Sequence, residues 1–99
     1  MNIPPTRFVL QLYIIGDRVL SKKAITDVEK IVSEDLKDNC RLEIVDLLLN
    51  PEEAEKHNIM ATPTLIKAHP KPEKRIAGDL SNKERLFVSL DLEALKPRQ

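Results

Sequence analysis

The sequence predicts a mixed α/β domain in the order β-α-β-α-β-β-α, and three observations predict it. Phe8 to Ile15 is almost continuously apolar and rich in β-formers, as a central strand covered on both faces requires. Apolar residues then recur at helical spacing through Ala24, Ile25, Val28, Ile31 and Val32. Near the end, two short strand-like runs are separated only by His69-Pro70-Lys71-Pro72 and Glu73, which suits a hairpin and not a helical crossover.

Ninety-nine residues are expected to form one domain, residues 1–99, with one modest core. Sixteen basic and sixteen acidic side chains cancel, which argues against a nucleic-acid groove or a polybasic membrane anchor. Phe8, Tyr13 and Phe87 are too sparse for a base-stacking surface. The beginning, Met1-Asn2-Ile3-Pro4-Pro5, lacks a basic, apolar leader, and no window reaches membrane-spanning length. A cytoplasmic location is expected, and the single Cys40 fits a reducing compartment.

The elements follow in order. The first strand ends at Gly16-Asp17. Ser21 is expected to cap a one-sided amphipathic helix whose wet face carries Lys22, Lys23, Asp27, Glu29 and Lys30, ending near Asp35 to Lys37. Asp38-Asn39 marks a turn, and Arg41 to Leu47 alternates as a second strand. Strand, helix and strand in this order form the right-handed crossover that makes the two strands parallel.

Asn50-Pro51-Glu52-Glu53 combines an N-cap, a proline where its missing N–H is harmless, and acids at the positive helix end. The short helix it starts ends at His57-Asn58. Thr64 to Ala68 and Lys74 to Ala77 are the last two strands. Ser81-Asn82-Lys83-Glu84 reads as a capping box, and Leu86, Phe87, Leu90 and Ala94 continue one helical face until Pro97.

Candidate chemistry is sparse. A redox thiolate at the start of the first helix would be activated by the helix dipole, but Asp17 to Ser21 contains no cysteine. Ser21 is better read as a cap than as a thiol-activating hydroxyl. His57, His69 and Cys40 lack metal-ligand spacing, and Gly16 and Gly78 cannot make a glycine-rich phosphate loop. Lys67, Lys71, Lys74 and Arg75 are expected to be a solvated hairpin cluster. No enzyme site, metal or cofactor is expected.

Specific stretches nevertheless carry a resemblance. Leu12-Tyr13-Ile14-Ile15-Gly16, Ile44 to Pro51, Ala61-Thr62-Pro63-Thr64-Leu65, Ile76 to Glu84 and Leu90-Asp91-Leu92 resemble the corresponding motifs of the KaiB family of bacterial clock proteins. The match runs through almost the whole chain. It implies a thioredoxin-like β-α-β-α-β-β-α domain in which Thr62-Pro63 is cis and faces the start of the first helix. The alternative that the resemblance implies is the KaiB tetrameric ground-state fold, since the family occupies two folds that share the front half to about Asn50.

The same resemblance implies a regulator that binds a KaiC-like ATPase ring and modulates its phosphorylation cycle. It would compete with the KaiB-like domain of a histidine kinase and sequester KaiA. The contact would involve Lys23, Arg41 and Glu43, and the fold switch Pro63, Gly78, Ser89, Asp91 and Ala94.

Several residues depart from the family pattern: Gln11 and Glu43 stand where lysine is common, Arg41 where a small residue is usual, Ser89 for glycine and Ala94 for tyrosine. The loop Asp17-Arg18-Val19-Leu20 lacks the usual polar and proline residues. Reversed charge at Glu43 bears on partner choice. Ser89 and Ala94 favour helix over strand in the switching segment, so a thioredoxin-like monomer is the expected resting state. The competing reading is a thioredoxin-like or glutathione-binding enzyme that works without a redox cysteine.

Overall fold

A computed structural model describes residues 8–36 and 39–92. The strands are β1 (Phe8–Ile14), β2 (Cys40–Asp46), β3 (Thr64–His69) and β4 (Lys74–Ala77), in the sheet order β2-β1-β3-β4. The helices are α1 (Val19–Ile31), α2 (Glu52–Lys56) and α3 (Lys83–Ser89). β1 is parallel to β2 and antiparallel to β3, and β3 and β4 form the antiparallel hairpin. The predicted order and the central place of β1 are those observed.

Alternation along β1 divides the sheet into two faces. Leu10, Leu12 and Ile14 join Ala24, Val28 and Ile31 of α1, Leu65, Ile76, and Leu86, Phe87, Leu90 and Leu92 at the C-terminal end, in one buried cluster. Both α1 and α3 therefore cover one face. On the other face Tyr13 is fully buried, and its ring lies 5.6 Å from the His57 ring at the end of α2.

Several local expectations are corrected. Ser21 does not cap α1: the helix starts at Val19, Arg18 is the cap without a side-chain bond, and Ser21 is buried inside the first turn. Its hydroxyl donates to the Ile15 carbonyl at 2.9 Å and accepts from the Ile15 N–H at 3.2 Å, stitching the helix to the end of β1. The N–H groups of a strand end need partners, and a buried serine supplies one here. After Ile31 the helix widens into a π-helical turn, Val32–Leu36.

Asn50 does not cap α2 with its side chain. Its amide donates back to the Asp46 carbonyl at 3.3 Å, while Pro51 already has helical dihedrals. Glu53 pairs with His57 at 3.2 Å instead of closing a capping box. The Ser81 capping box is displaced by one residue: Asn82 caps α3, its side chain accepting from the Arg85 N–H at 3.0 Å. Ser81 turns away because Asp79 Oδ1 accepts both its N–H, at 2.9 Å, and its hydroxyl, at 2.6 Å.

The final helix is also shorter than predicted. Asp91 is in the left-handed conformation, φ 57°, and the bonds Leu92 N–H to Phe87 O (2.8 Å) and Asp91 N–H to Val88 O (3.3 Å) form a Schellman stop. The apolar period continues through Leu90 and Leu92, but Leu92 reaches the core by this reversal and not from a further helical turn. Ala94 lies outside the described residues.

Candidate functional site

At the head of α1, Leu20, Lys23 and Asp27 face Pro63, Gly78 and Asp79 across an open cleft of about 470 Å³. Thr62-Pro63 is cis, as are His69-Pro70 and Lys71-Pro72. The Gly78 N–H donates to the Pro63 carbonyl at 3.0 Å, which fixes the cleft's far wall. Lys23 and Asp27, one helical turn apart, pair at 2.8 Å, and this bond raises the ammonium's pKa. On the opposite wall, the Ser81 hydroxyl and N–H hold the Asp79 carboxyl below its ordinary pKa.

The hydroxyls that line this cleft belong to Thr62 and Ser81, and that of Ser81 donates to Asp79 at 2.6 Å. Ser21, in the first turn of α1, is not among the residues that line it, and its hydroxyl is committed twice to Ile15. Cys40 opens β2 and is partly buried, and burial pushes its thiol up to about 11, against a backbone hydrogen bond with Leu10 that acts the other way. A thiol so shifted is protonated at neutral pH and inert. Among the described residues, no group of three or more histidine, cysteine, aspartate or glutamate side chains is placed to hold a metal ion.

The predicted contact residues fall in two places. Lys23 lines the cleft, whereas Arg41 and Glu43 lie on β2, the edge strand, on the side of the sheet that carries Tyr13. Arg41 and Glu43 pair with each other at 3.2 Å. Glu43 also accepts a bond of 3.0 Å from the amide of Gln11, its register partner on β1. The Tyr13 hydroxyl in turn donates to the Gln11 amide oxygen at 3.3 Å. Burial raises the Tyr13 pKa, and the charges of Glu53, Glu73 and Glu43 add to it, so the phenol stays a donor.

The basic cluster read from the sequence does not form one patch. Lys67 is buried, opposite Leu10 on the face that α1 and α3 cover. Arg75 points to the other face, donating to the carbonyls of His57 at 2.9 Å and Asn58 at 3.2 Å while Glu73 holds it at 2.8 Å. Sequence reasoning missed this clasp on the end of α2 and missed Tyr13–Gln11–Glu43. The strand period places Gln11 and Tyr13 on one face, but only the register shows that Glu43 stands beside Gln11. Of the residues expected to govern fold switching, Pro63 and Gly78 meet in the cleft, and Ser89 and Asp91 sit at the end of α3.

Similarity to known proteins follows this architecture. The N-terminal domain of SasA from Synechococcus elongatus superposes with a TM-score of 0.72 at 19% identity, covering 100% of this chain and 94% of that one. Fasciola hepatica thioredoxin superposes at 0.69 and 21% identity, covering 92% and 83%. These two likenesses establish a thioredoxin-like fold. In sequence, the circadian clock protein KaiB3 of Synechocystis sp. is 49% identical over 86 residues, 87% of this chain and 84% of that protein. The circadian clock oscillator protein KaiB of Prochlorococcus marinus is 43% identical over 89 residues, 90% and 76%. Since the KaiB domain model also matches residues 11–92, which span nearly every element described above, the chain belongs to the KaiB family.

Proposed function

We propose that this protein is a non-enzymatic clock-type regulator that docks on a KaiC-type ATPase ring and modulates its phosphorylation cycle through that contact. The carrying observation is the family match over residues 11–92, joined to a fold that retains the thioredoxin-like frame without a thiol at the head of α1. Lys23, Arg41 and Glu43 are the proposed contact residues, with β2 as the docking edge. An edge strand offers unpaired backbone groups, and its side-chain charges select what approaches.

SasA's N-terminal domain shares the fold, which supports competition between such a kinase domain and this protein for one ring surface. KaiA is a second proposed partner. The protein is expected to act in the cytoplasm, and no described helix is long and apolar enough to cross a membrane.

Sedimentation of the protein with a purified KaiC-type ring, with and without Glu43→Lys, tests this reading. Cosedimentation of the wild type and an altered affinity for the variant are expected. An unchanged affinity for Glu43→Lys would remove that charge from partner choice, and failure of the wild type to bind any KaiC-type ring would remove the function.

The alternative, a glutathione-binding enzyme, draws on the cleft beside Pro63. Against it stands Ser21, whose hydroxyl is turned into the β1 end. Titration with glutathione monitored by amide shifts at Lys23 and Asp79 separates the two readings: no shifts are expected.

A further inference from the structure

The contact between Gln11 and Glu43 has a directionality that the charges alone do not reveal. Tyr13 is fully buried, and its hydroxyl donates to the amide oxygen of Gln11 at 3.3 Å. A phenol whose pKa is raised remains protonated throughout the neutral range, so this donor is constant. With its oxygen so occupied, the amide turns its nitrogen toward β2 and donates to Glu43 Oε1 at 3.0 Å. Glu43 Oε2 then faces Arg41 at 3.2 Å. The Glu43 side chain is 40% exposed and would otherwise sample several rotamers.

We infer that Gln11 is a positioning residue of the β2 docking edge: it transmits the fixed orientation of the buried Tyr13 hydroxyl to the Glu43 carboxylate. The Glu43–Arg41 pair is thereby presented in one geometry before any partner arrives. Exposed ion pairs on an edge strand are ordinarily mobile and contribute little. A pair ordered in advance spares the partner the entropy of ordering it, and this is where Gln11 enters affinity. The functional consequence rests on the docking reading above, whereas the positioning itself is a property of the free protein.

Two measurements separate these. In the free protein, three-bond couplings across the Glu43 Cα–Cβ bond should report one rotamer in the wild type and rotamer averaging in Gln11→Met, which keeps the side chain's length and removes its donor. The same averaging should appear in Tyr13→Phe, which leaves the ring in place, and in Gln11→Lys, which keeps a donor toward Glu43 but offers the Tyr13 hydroxyl no acceptor. A single rotamer in Gln11→Lys would remove Tyr13 from the relay. The urea midpoint of Gln11→Met serves as the control for folding.

In binding to a KaiC-type ring, Gln11→Met should raise Kd about fivefold, the scale of one hydrogen bond, and should add nothing in a Glu43→Gln background. Unaveraged couplings in Gln11→Met overturn the inference whether or not a ring binds. Additive effects of the two substitutions on Kd overturn its role in docking. A wild type that binds no ring defeats the docking reading alone, and the couplings still decide the positioning.

Discussion

Asp35 Oδ2 lies 3.0 Å from Lys83 Nζ, joining the π-helical end of the α1 segment to the first residue of α3. The Asp35 side chain is only 8% exposed, and Lys83 is its one ion-pair partner among the described residues. Oδ2 is shielded from water, and the Asp35 carboxylate, through hydrogen bond and charge, raises the pKa of the Lys83 ammonium. The pair also places an anion near the N-terminus of α3, where a bare lysine would be disfavoured by the helix dipole.

Removing Lys83 should therefore cost more than removing the charge it neutralises. Lys83→Met leaves a nearly buried carboxylate without its cation, whereas Asp35→Asn leaves an exposed ammonium that water can solvate. A lower urea midpoint is expected for Lys83→Met than for Asp35→Asn, with partial recovery in the double variant. Simple additivity would show that the two side chains are not coupled.

The two glycines should differ on substitution. Gly16 has φ +57°, and a Cβ there would lie 2.6 Å from Leu48 Cδ1. Gly78 has φ +91° and open space where a Cβ would stand. Alanine at Gly78 should carry only the backbone cost of a left-handed residue, about 1–2 kcal/mol. Alanine at Gly16 should carry a comparable cost and in addition displace Leu48 from the turn that Asp46 Oδ1 organises by accepting from the N–H groups of Gly16 and Leu48. Denaturant titrations check this. Equal losses at the two positions would mean that Leu48, which is exposed, gives way freely.

Stability should also fall as pH rises above about 9. In the folded protein the pKa values of Cys40, Tyr13, Lys23 and Lys83 are all raised, Cys40 to about 11 from 9.0. A raised pKa means that the folded state holds its proton longer than the unfolded one. Its stabilisation is complete below the unfolded value and is lost as pH climbs through the folded value. Cys40 opens this window because its ordinary value is the lowest of the four. Cys40→Ala should flatten the fall in melting temperature between about pH 9 and 11 and leave the later part to Tyr13 and the lysines. An unchanged profile in Cys40→Ala would show that its thiol does not contribute.

What the sequence revealed and what it concealed divide along physical lines. Period and composition located β1, the hairpin strands and the apolar face of α1, because burial enforces those patterns over many residues at once. Caps were misplaced at Ser21, Asn50 and Ser81, since each is one polar side chain choosing between nearby backbone groups. At Ser21 the end of β1 won, at Asn50 the Asp46 carbonyl, and at Ser81 the Asp79 carboxylate. Lys67 went unrecognised as buried because a lysine in a short strand looks solvated until pairing with β1 sets its face. Arg41 and Glu43 could be placed on one strand from the sequence. Their linkage to Tyr13 through Gln11 required the β1–β2 register.

The choice between this fold and the alternative expected for the family turns on the end of α3. Ser89 was expected to favour the present fold through helix propensity, and it is indeed the last residue of α3. At that position Ser89→Gly should cost only a few tenths of a kcal/mol, because serine itself ranks well below alanine. Ala94 lies outside the described residues. The heavier lever is Asp91. Its left-handed conformation lets Leu92 turn back into the core, and Leu92 is fully buried there. A strand through this segment would require the opposite, an extended Asp91. Asp91→Val should therefore disfavour the present fold by about 1–2 kcal/mol, since a β-branched residue resists φ > 0 and favours strand. Asp91→Gly should preserve the reversal. Backbone chemical shifts through Phe87–Leu92, read together with sedimentation, should show extended, associated molecules increasing in Asp91→Val well before they do in Ser89→Gly. A larger response in Ser89→Gly would place control of the switch in helix propensity, and the reversal at Asp91 would then be a consequence of the fold and not one of its determinants.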